Sequence, residues 1–289
     1  MTNERFLELV AESYAQIENN FVSLPNEEMP LTVLDMPLTG FATADDPIFK
    51  QFREPAVIGS EFRTPMDYMP SARTIVAFFF PFNEQVRAKV RTELQPSSPT
   101  WNAAYGMNTA LTDAFLDILI PKLTAEGAQV FQPNRDPGMV RNPELSEDGT
   151  DLHFNVSWSN RHALYAAGLG TFGVHRHIIT EKGCCGTTAS FITDLELMPT
   201  ERHYSEVYEW CSHCGSCATR CPSGAIPRDG LRNLRTCSSH ATEVRKKYGG
   251  FCGKCLTGIP CEDKAPAKSK VSKDVASMFK AISGEMPRA

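Results

Sequence analysis

Eight of the ten cysteines of this chain lie close together in its C-terminal third, with a spacing that is typical of iron–sulfur ligands. A C-x2-C-x2-C-x3-C-P run is followed by one isolated cysteine and then by a C-x2-C-x5-C run. Closely spaced thiolates can bind three corners of a [4Fe–4S] cluster from one tight loop, and the fourth ligand then comes from elsewhere. The pattern predicts two such clusters. The eight residues are Cys211, Cys214, Cys217, Cys221, Cys237, Cys252, Cys255 and Cys261.

In ferredoxin-type runs the cysteine before proline ligates the other cluster, so that each segment contributes to both clusters. This rule assigns Cys211, Cys214, Cys217 and Cys261 to cluster one, and Cys221, Cys237, Cys252 and Cys255 to cluster two. The gap between Cys255 and Cys261 is longer than in a plain ferredoxin. Zinc is the alternative metal, since it takes four thiolates from two C-x2-C knuckles. The three-cysteine run with its Cys-Pro ending favours iron–sulfur clusters.

The remaining two cysteines, Cys184 and Cys185, stand apart between Gly183 and Gly186. Vicinal cysteines rarely form a useful disulfide. A glycine-flanked pair on a loop can be a redox thiol, an additional metal ligand or two small packing residues. The sequence favours packing.

The composition is that of an ordinary globular protein of 289 residues, with 42% hydrophobic and 22% charged residues. A chain of this length predicts one large domain and one small one. No apolar leader begins it, and its longest apolar stretch, residues 75–82, is interrupted by Pro81. We therefore expect a cytoplasmic protein with reduced thiols and no membrane partner. A net charge of −5 makes nucleic acid an unexpected partner.

Hydrophobic periodicity predicts mixed helices and strands without a regular strand–helix repeat, which favours an α+β class. Residues 3–18 have the pattern of an amphipathic helix, and residues 75–80 that of a strand covered on both faces. A second helix, residues 102–126, is expected to kink or divide at Pro121. The other predicted segments are a helix at 160–167 and strands at 128–132, 178–180 and 188–195.

These elements divide the chain into three segments. Residues 1–203 form the α+β domain, residues 204–262 the cysteine module, and residues 263–289 a tail. The tail is predicted to be a docked helix because of a stripe of apolar residues, namely Val271, Val275, Met278 and Ile282.

The segment Gly168-Leu-Gly170-Thr-Phe-Gly173 satisfies the G-x-G-x-x-G pattern of dinucleotide-binding proteins. Its context differs from theirs, because it follows a predicted helix and leads towards a strand. The glycines are instead expected to turn the backbone sharply or to let it approach a flat cofactor. Asp151 and His153 begin a D-x-H-x-x-G cobalt-ligand pattern, but Val156 replaces its glycine.

Nearby, His175 and His177 alternate as on one strand face. They could contact an anion, although surface polarity is the favoured explanation.

Three features together resemble the epoxyqueuosine reductase and reductive dehalogenase superfamily: Ala167–Gly173, Phe191–Leu197 and the eight cysteines. The resemblance runs from about Leu38 to Glu262. It implies a nitroreductase-like α+β domain that binds cobalamin, followed by a ferredoxin-like module with two [4Fe–4S] clusters. The cofactor-binding residues that it implies here are Gly168, Gly170, Gly173, Thr193 and Asp194.

The chain departs from that family's pattern in ways that put a tRNA substrate in doubt. Asn108 stands where epoxyqueuosine reductases carry an acidic residue, and an amide cannot act as a general acid. The segment Ser157–His162 is more polar than its counterpart and could line a different substrate pocket. The Cys184–Cys185 pair lies between two cofactor-region motifs.

We therefore expect an iron–sulfur, cobalamin-dependent oxidoreductase that receives electrons from a low-potential donor such as a ferredoxin or flavodoxin. Its substrate would be a small molecule or a corrinoid. The alternatives are a carrier that reduces cobalamin or a corrinoid protein, and epoxyqueuosine reduction on tRNA.

Overall fold

The computed structural model describes residues 1–25, 27–95 and 97–266. The tail stripe of Val271, Val275, Met278 and Ile282 lies outside the described residues. The helices are α1 Asn3–Tyr14, α2 Ile48–Gln51, α3 Pro65–Tyr68, α4 Glu84–Thr92, α5 Pro99–Ala125, α6 Asn160–Ala166, α7 Ser216–Arg220 and α8 Leu234–Tyr248. The strands are β1 Phe21–Val22, β2 Leu31–Thr32, β3 Leu38–Thr43, β4 Thr74–Pro81, β5 Val130–Phe131, β6 Arg141–Leu145, β7 Leu152–Val156, β8 Gly170–Phe172, β9 Ile178–Thr180 and β10 Gly186–Thr193.

A four-stranded antiparallel sheet in the order β3–β4–β10–β5 forms the centre of the molecule. Strands β4 and β10 pair along their whole length, from Thr74 opposite Thr193 to Pro81 opposite Gly186. Every residue of β4 is buried, as expected for a strand covered on both faces. The structure confirms the α+β class, and the nitroreductase-like assignment stays a prediction.

Alternate residues of β4 face two separate hydrophobic cores. Val76, Phe78 and Phe80 pack in the core that contains residues of α1 and α5, whereas Ala77 and Phe79 pack in the core that contains α6. Helices therefore cover both faces of the sheet. This layering fixes β10, the strand that carries several cavity residues, between two packed layers.

Two predicted helix limits require correction. Helix α1 ends at Tyr14, one turn earlier than residue 18. Helix α5 runs without a break to Ala125, so Pro121 does not divide it. Proline removes one backbone hydrogen bond from a helix, and Pro121 does so close to the end of α5. The side chains of Leu119 and Leu123, on either side of it in sequence, are buried in the core and hold this part of the helix in place.

The cysteine module consists of loops and the helices α7 and α8, and it packs directly on α5. A Cβ atom on Gly253 would lie 2.2 Å from the ring of Trp101, so only glycine allows this approach. Cys217 and Leu256 belong to the same hydrophobic core as Trp101. The module and the preceding domain thus share a core, and the expected boundary at residue 204 stays a prediction. Within the part of the chain that the structure describes, no helix has the length and apolarity needed to cross a membrane.

Candidate functional site

The four cysteines predicted to hold cluster one surround one small cavity. Cys211, Cys214 and Cys217 line it from the tight loop, and Cys261 lines it from the far end of the module. The loop turns sharply because His213 and Gly215 both adopt left-handed backbone conformations, with φ values of 51° and 72°. This donor set fits a [4Fe–4S] cluster, which needs four converging thiolates.

Cys261 accepts hydrogen bonds from two neighbouring side chains. The Cys184 thiol donates to it over a Sγ–Sγ distance of 3.9 Å, and His175 Nε2 lies 3.6 Å from the same Sγ atom. His175 Nδ1 accepts the backbone N–H of His177, which leaves the proton on Nε2. The hydrogen bond from Cys184 lowers the pKa of Cys261 against the opposing effect of burial, and His175 lowers it further. Cys261 is therefore prepared to act as a thiolate ligand.

Backbone hydrogen bonds hold Cys184 in this position. The N–H groups of Cys184 and Cys185 donate to the carbonyl oxygens of Cys261 and Glu262 at 2.8 and 3.1 Å. Gly183 is required for this approach, since a Cβ atom there would lie 2.2 Å from the oxygen of Glu262. Burial raises the pKa of Cys184 well above its ordinary value, so this thiol keeps its proton.

The cysteines predicted for cluster two also lie near one another. Burial raises the pKa of Cys252, and the neighbouring thiols Cys237 and Cys221 add to the effect. Burial likewise raises the pKa of Cys255 to about 11, with Cys237 and Cys252 contributing and Arg232 opposing. Groups that influence one another in this way can share a metal centre, and metal binding then releases their protons.

A separate cavity of about 450 Å³ lies between β10, α6 and the cysteine module. Aromatic side chains form much of its wall, notably Phe79, Tyr105 and Trp158. Two of its residues also touch the predicted cluster ligands. Cys184 contacts Cys261, and Arg232 Nη1 lies 3.9 Å from Cys255 Sγ.

Three arginines line this cavity, and they are not among the site residues predicted from the sequence. Arg141 begins β6, Arg161 lies in the first turn of α6, and Arg232 precedes α8. The Arg232 N–H donates to the carbonyl oxygen of Val174 at 2.9 Å, which fixes its backbone against the segment beside His175. The signal in the sequence was the polar segment Ser157–His162, of which Trp158 to Arg161 line the cavity, and its predicted part in a substrate pocket stays a prediction.

His175 and His177 line different cavities. His177 lines the large cavity and accepts from Arg232 Nη1 at 2.9 Å, whereas His175 lines the cluster-one cavity. Burial lowers the pKa of His177 well below its ordinary value, and the nearby charge of Arg232 adds to this effect. The imidazole is thus a neutral acceptor. The favoured interpretation of both as surface residues is wrong, because His175 is 1% exposed and His177 is only partly exposed.

The glycines predicted to approach a cofactor lie close to protein groups, and their role towards a cofactor stays a prediction. A Cβ atom on Gly170 would lie 1.9 Å from the carbonyl oxygen of Ile179 in β9, and one on Gly173 would meet the His175 ring at 2.6 Å. Gly168 has a φ of +76° and faces the backbone of Glu201. Residues Gly170–Phe172 of the motif form strand β8 after helix α6, so the motif does not open a helix, as its sequence context predicted.

Thr193 and Asp194 also lie away from the large cavity. The cavity contacts β10 at its first residues, Gly186 to Thr188, while Thr193 is the last residue of that strand. Asp194 Oδ1 accepts the backbone N–H of Gln129 at 2.8 Å. The structure thus does not bring the five residues predicted for the cofactor to this cavity, because the chain uses them to close turns and strand pairs.

Asn108 and Asp151 have structural partners. Asn108 is buried in α5 and donates to the carbonyl oxygen of Tyr105 at 2.7 Å. Asp151 pairs with Arg176 at 2.7 Å and accepts the N–H of Leu234 at the start of α8 at 2.6 Å. Asp151 therefore ties the cysteine module to the α+β domain.

Comparisons with known proteins show which domain model and which solved folds this chain resembles. Residues 205–226 match the model of the 4Fe-4S binding domain. None of the curated proteins matches the chain significantly in sequence. An epoxyqueuosine reductase solved with a modified tRNA-Tyr stem loop is 20% identical over 92% of this chain and 68% of its own, with a TM-score of 0.51. The epoxyqueuosine reductase from Streptococcus thermophilus is 18% identical over 98% of this chain and 75% of its own, also with a TM-score of 0.51.

A reductive dehalogenase described with a mechanism for B12-dependent dehalogenation shares the fold as well. It is 14% identical over 96% of this chain, with a TM-score of 0.50, and this chain spans only 40% of it. The chain thus has the fold of epoxyqueuosine reductases and reductive dehalogenases, and the resemblance noted in the sequence is confirmed. Because one similar structure holds a tRNA stem loop, the expectation of no nucleic-acid partner still needs a test.

The large cavity fits a small ligand better than a whole corrinoid. A volume of about 450 Å³ lies in the lower half of the range for drug-sized ligands, roughly 300–1,000 Å³, and a corrin macrocycle with its nucleotide is larger than such ligands. The glycines assigned to a flat cofactor are already in contact with protein groups. The four cysteines around the cluster-one cavity fit a [4Fe–4S] cluster, whereas the large cavity alone is smaller than a whole corrinoid.

Proposed function

We propose that this protein is a two-cluster iron–sulfur oxidoreductase that reduces a small molecule bound in the arginine-lined cavity. One observation carries the proposal: the cavity wall is a single side chain away from the predicted ligands of both clusters. Cys184 joins it to Cys261 of cluster one, and Arg232 joins it to Cys255 of cluster two. Electrons from either cluster therefore have a short path to a bound molecule.

The clusters would supply one electron each, and the residues of the chain would bind the substrate and set the cluster properties. Cys184 and His175 donate hydrogen bonds to Cys261, and such bonds stabilise the more negative, reduced state. Arg232 places positive charge between Cys255 and the cavity, where it attracts electron density. Aromatic side chains exclude water from part of the site.

The overall change is the addition of two electrons and two protons to the substrate, with the protons taken from water. An external low-potential carrier, a ferredoxin or flavodoxin, would replace the electrons. Helix α8 offers a surface for such an acidic partner, since it carries Cys237 and exposes Arg235, Arg245, Lys246 and Lys247. The charge of these four residues is balanced on the helix only by Glu243.

Anaerobic reconstitution with iron and sulfide tests the proposal. We expect about eight iron atoms per chain and two cluster signals in electron paramagnetic resonance after reduction with dithionite. Zinc at four-thiolate sites without iron would overturn the proposal.

The second candidate is the same reductase with cobalamin as the electron acceptor, supported by the fold shared with a B12-dependent dehalogenase. It requires a site larger than the 450 Å³ of this cavity. A spectral titration of the reconstituted protein with cobalamin separates the candidates. Stoichiometric binding supports the second, whereas reduction of cobalamin in excess without binding indicates a carrier of electrons to corrinoids.

A further inference from the structure

We propose that the large cavity binds a small organic anion, one that carries a carboxylate or a phosphate on a partly apolar body. The inference rests on the proposed function only in calling that anion the substrate. It deepens the proposed function by naming a chemical class for the molecule that receives the electrons.

The cationic residues of the cavity have no carboxylate to balance them. Arg141, Arg161 and Arg232 line it, and its lining contains neither aspartate nor glutamate among the described residues. Arg161 Nη1 donates to the carbonyl oxygen of Arg176 at 2.5 Å, and Arg141 stacks over Phe154 at 4.6 Å. Neither contact neutralises a charge.

The neighbouring Arg176 shows the contrast. It pairs with Asp151 at 2.7 Å, so its charge is compensated within the protein. Neither Arg141 nor Arg161 has such an ion pair in the part of the chain that the structure describes, and the charge of Arg232 faces only the Cys255 sulfur, at 3.9 Å. Arg161 and Arg232 are half-buried, whereas Arg141 is exposed. Half-buried cations without a carboxylate partner destabilise a fold, and proteins keep them where a ligand supplies the opposite charge.

Electrostatic repulsion among the arginines also favours a bound anion. Burial lowers the pKa of Arg161 to about 10, and the charges of Arg232, Arg141 and Arg176 contribute to the shift. An anion placed among them would relieve this repulsion.

Arg232 also has an unused donor. Its Nε atom is buried and has no hydrogen-bond partner in the structure, while its Nη1 atom faces His177. A planar guanidinium with a free N–H is suited to carboxylate or phosphate oxygens. The aromatic wall of Phe79, Tyr105 and Trp158 supplies contact for an apolar body.

The test measures binding of three small probes to the anaerobic, cluster-loaded protein by calorimetry. Benzoate carries a carboxylate, phenyl phosphate carries a phosphate, and benzamide is an uncharged analogue of benzoate. We expect at least one of the anions to bind about tenfold or more tightly than benzamide. Their relative affinity identifies which anionic group the cavity prefers.

Variants locate the binding site. Arg161→Gln and Arg141→Gln should each weaken anion binding about tenfold and leave benzamide unaffected. Arg141 lies on the exposed hairpin strand β6, so its variant keeps the test informative if Arg161→Gln fails to fold. The matched control, Arg228→Gln, removes an exposed arginine that does not line the cavity and should change nothing.

Three results would overturn the inference: equal affinity for benzamide and the anions, no binding of any probe, or unchanged affinity in both cavity variants. Tighter binding of a tRNA stem loop than of either small anion would replace it with a nucleic-acid role. Iron is measured on the same samples. A chain without clusters contradicts the proposed function, whereas a cluster-loaded chain without anion preference contradicts only this inference.

Discussion

The Sγ atom of Cys184 lies 3.9 Å from the Sγ atom of Cys261, and the same Cys184 side chain lines the large cavity. This thiol therefore links a predicted cluster ligand to the cavity, as Arg232 does at an equal distance from Cys255. The sequence favoured simple packing for Cys184. Its burial agrees with packing, and its position predicts an electronic role as well.

Replacing Cys184 should change the reduction potential of cluster one. A hydrogen bond to a ligand sulfur stabilises the reduced cluster, so Cys184→Ala should make the potential more negative. A redox titration followed by electron paramagnetic resonance measures it. Cys185→Ala is the matched control, since Cys185 is equally buried but has no contact with Cys261 through its sulfur. Equal potentials in both variants would show that the 3.9 Å contact has no electronic effect.

Replacing one cysteine ligand of a cluster should remove that cluster and leave the other intact. Cys237→Ala should abolish cluster two and reduce the iron content by about half, because a cubane with three ligands is unstable. Cys214→Ala should do the same to cluster one. Iron analysis and resonance spectra of the two variants distinguish them. If both variants lost the same signal, the assignment of Cys237 and Cys214 to different clusters would be wrong.

Asp151→Asn should destabilise the protein by about 2 to 3 kcal/mol, because it leaves the buried Arg176 guanidinium without its counterion. It also weakens the hydrogen bond to the N–H of Leu234 at the start of α8. Urea denaturation of the reconstituted protein measures the free energy of unfolding. Glu147→Gln, an exposed change in the same β6–β7 hairpin, should stay within about 0.5 kcal/mol of the parent.

Gly170→Ala should prevent folding or cost about 2 kcal/mol or more even when no cofactor is added, because its Cβ atom would overlap the carbonyl oxygen of Ile179. Gly106→Ala provides the comparison, since nothing lies within 4 Å of the added methyl group and alanine favours the α5 helix. Thermal unfolding monitored by circular dichroism measures the stability of both variants. A stable Gly170→Ala protein that lost only cofactor binding would contradict this structural role and favour the predicted cofactor contact.

Reversing charge on α8 should slow electron uptake. Lys246→Glu with Lys247→Glu should lower the rate of reduction by a reduced ferredoxin severalfold at low salt, and the difference should shrink at high salt. Stopped-flow bleaching of the clusters measures the rate. Reduction by dithionite, which does not dock, serves as the control. An unchanged ferredoxin rate would remove α8 from the docking surface.

The sequence predicted those parts of the molecule whose residues are local. Strand β4 is a continuous apolar run, and α6 follows from its alanine-rich pattern. The three-cysteine loop is likewise contiguous. These signals depend on neighbours in the chain, so periodicity and spacing reveal them.

The cavity could not be predicted in this way. Arg141, Arg161 and Arg232 are far apart in sequence and meet only because the β6–β7 hairpin, α6 and the cysteine module pack around one end of β10. The position of Thr193 and Asp194 relative to this cavity also depends on more than local sequence. The register of β10 places them at the other end of the strand from the cavity, and their predicted role in cofactor binding stays a prediction.

The paired backbone hydrogen bonds from Cys184 and Cys185 to Cys261 and Glu262 join the cavity wall to the segment that carries the last ligand of cluster one. A displacement at either end of this double contact should therefore reach the other end. Movement of the Cys261 segment should alter the shape of the cavity wall, and a ligand in the cavity should alter the surroundings of Cys261.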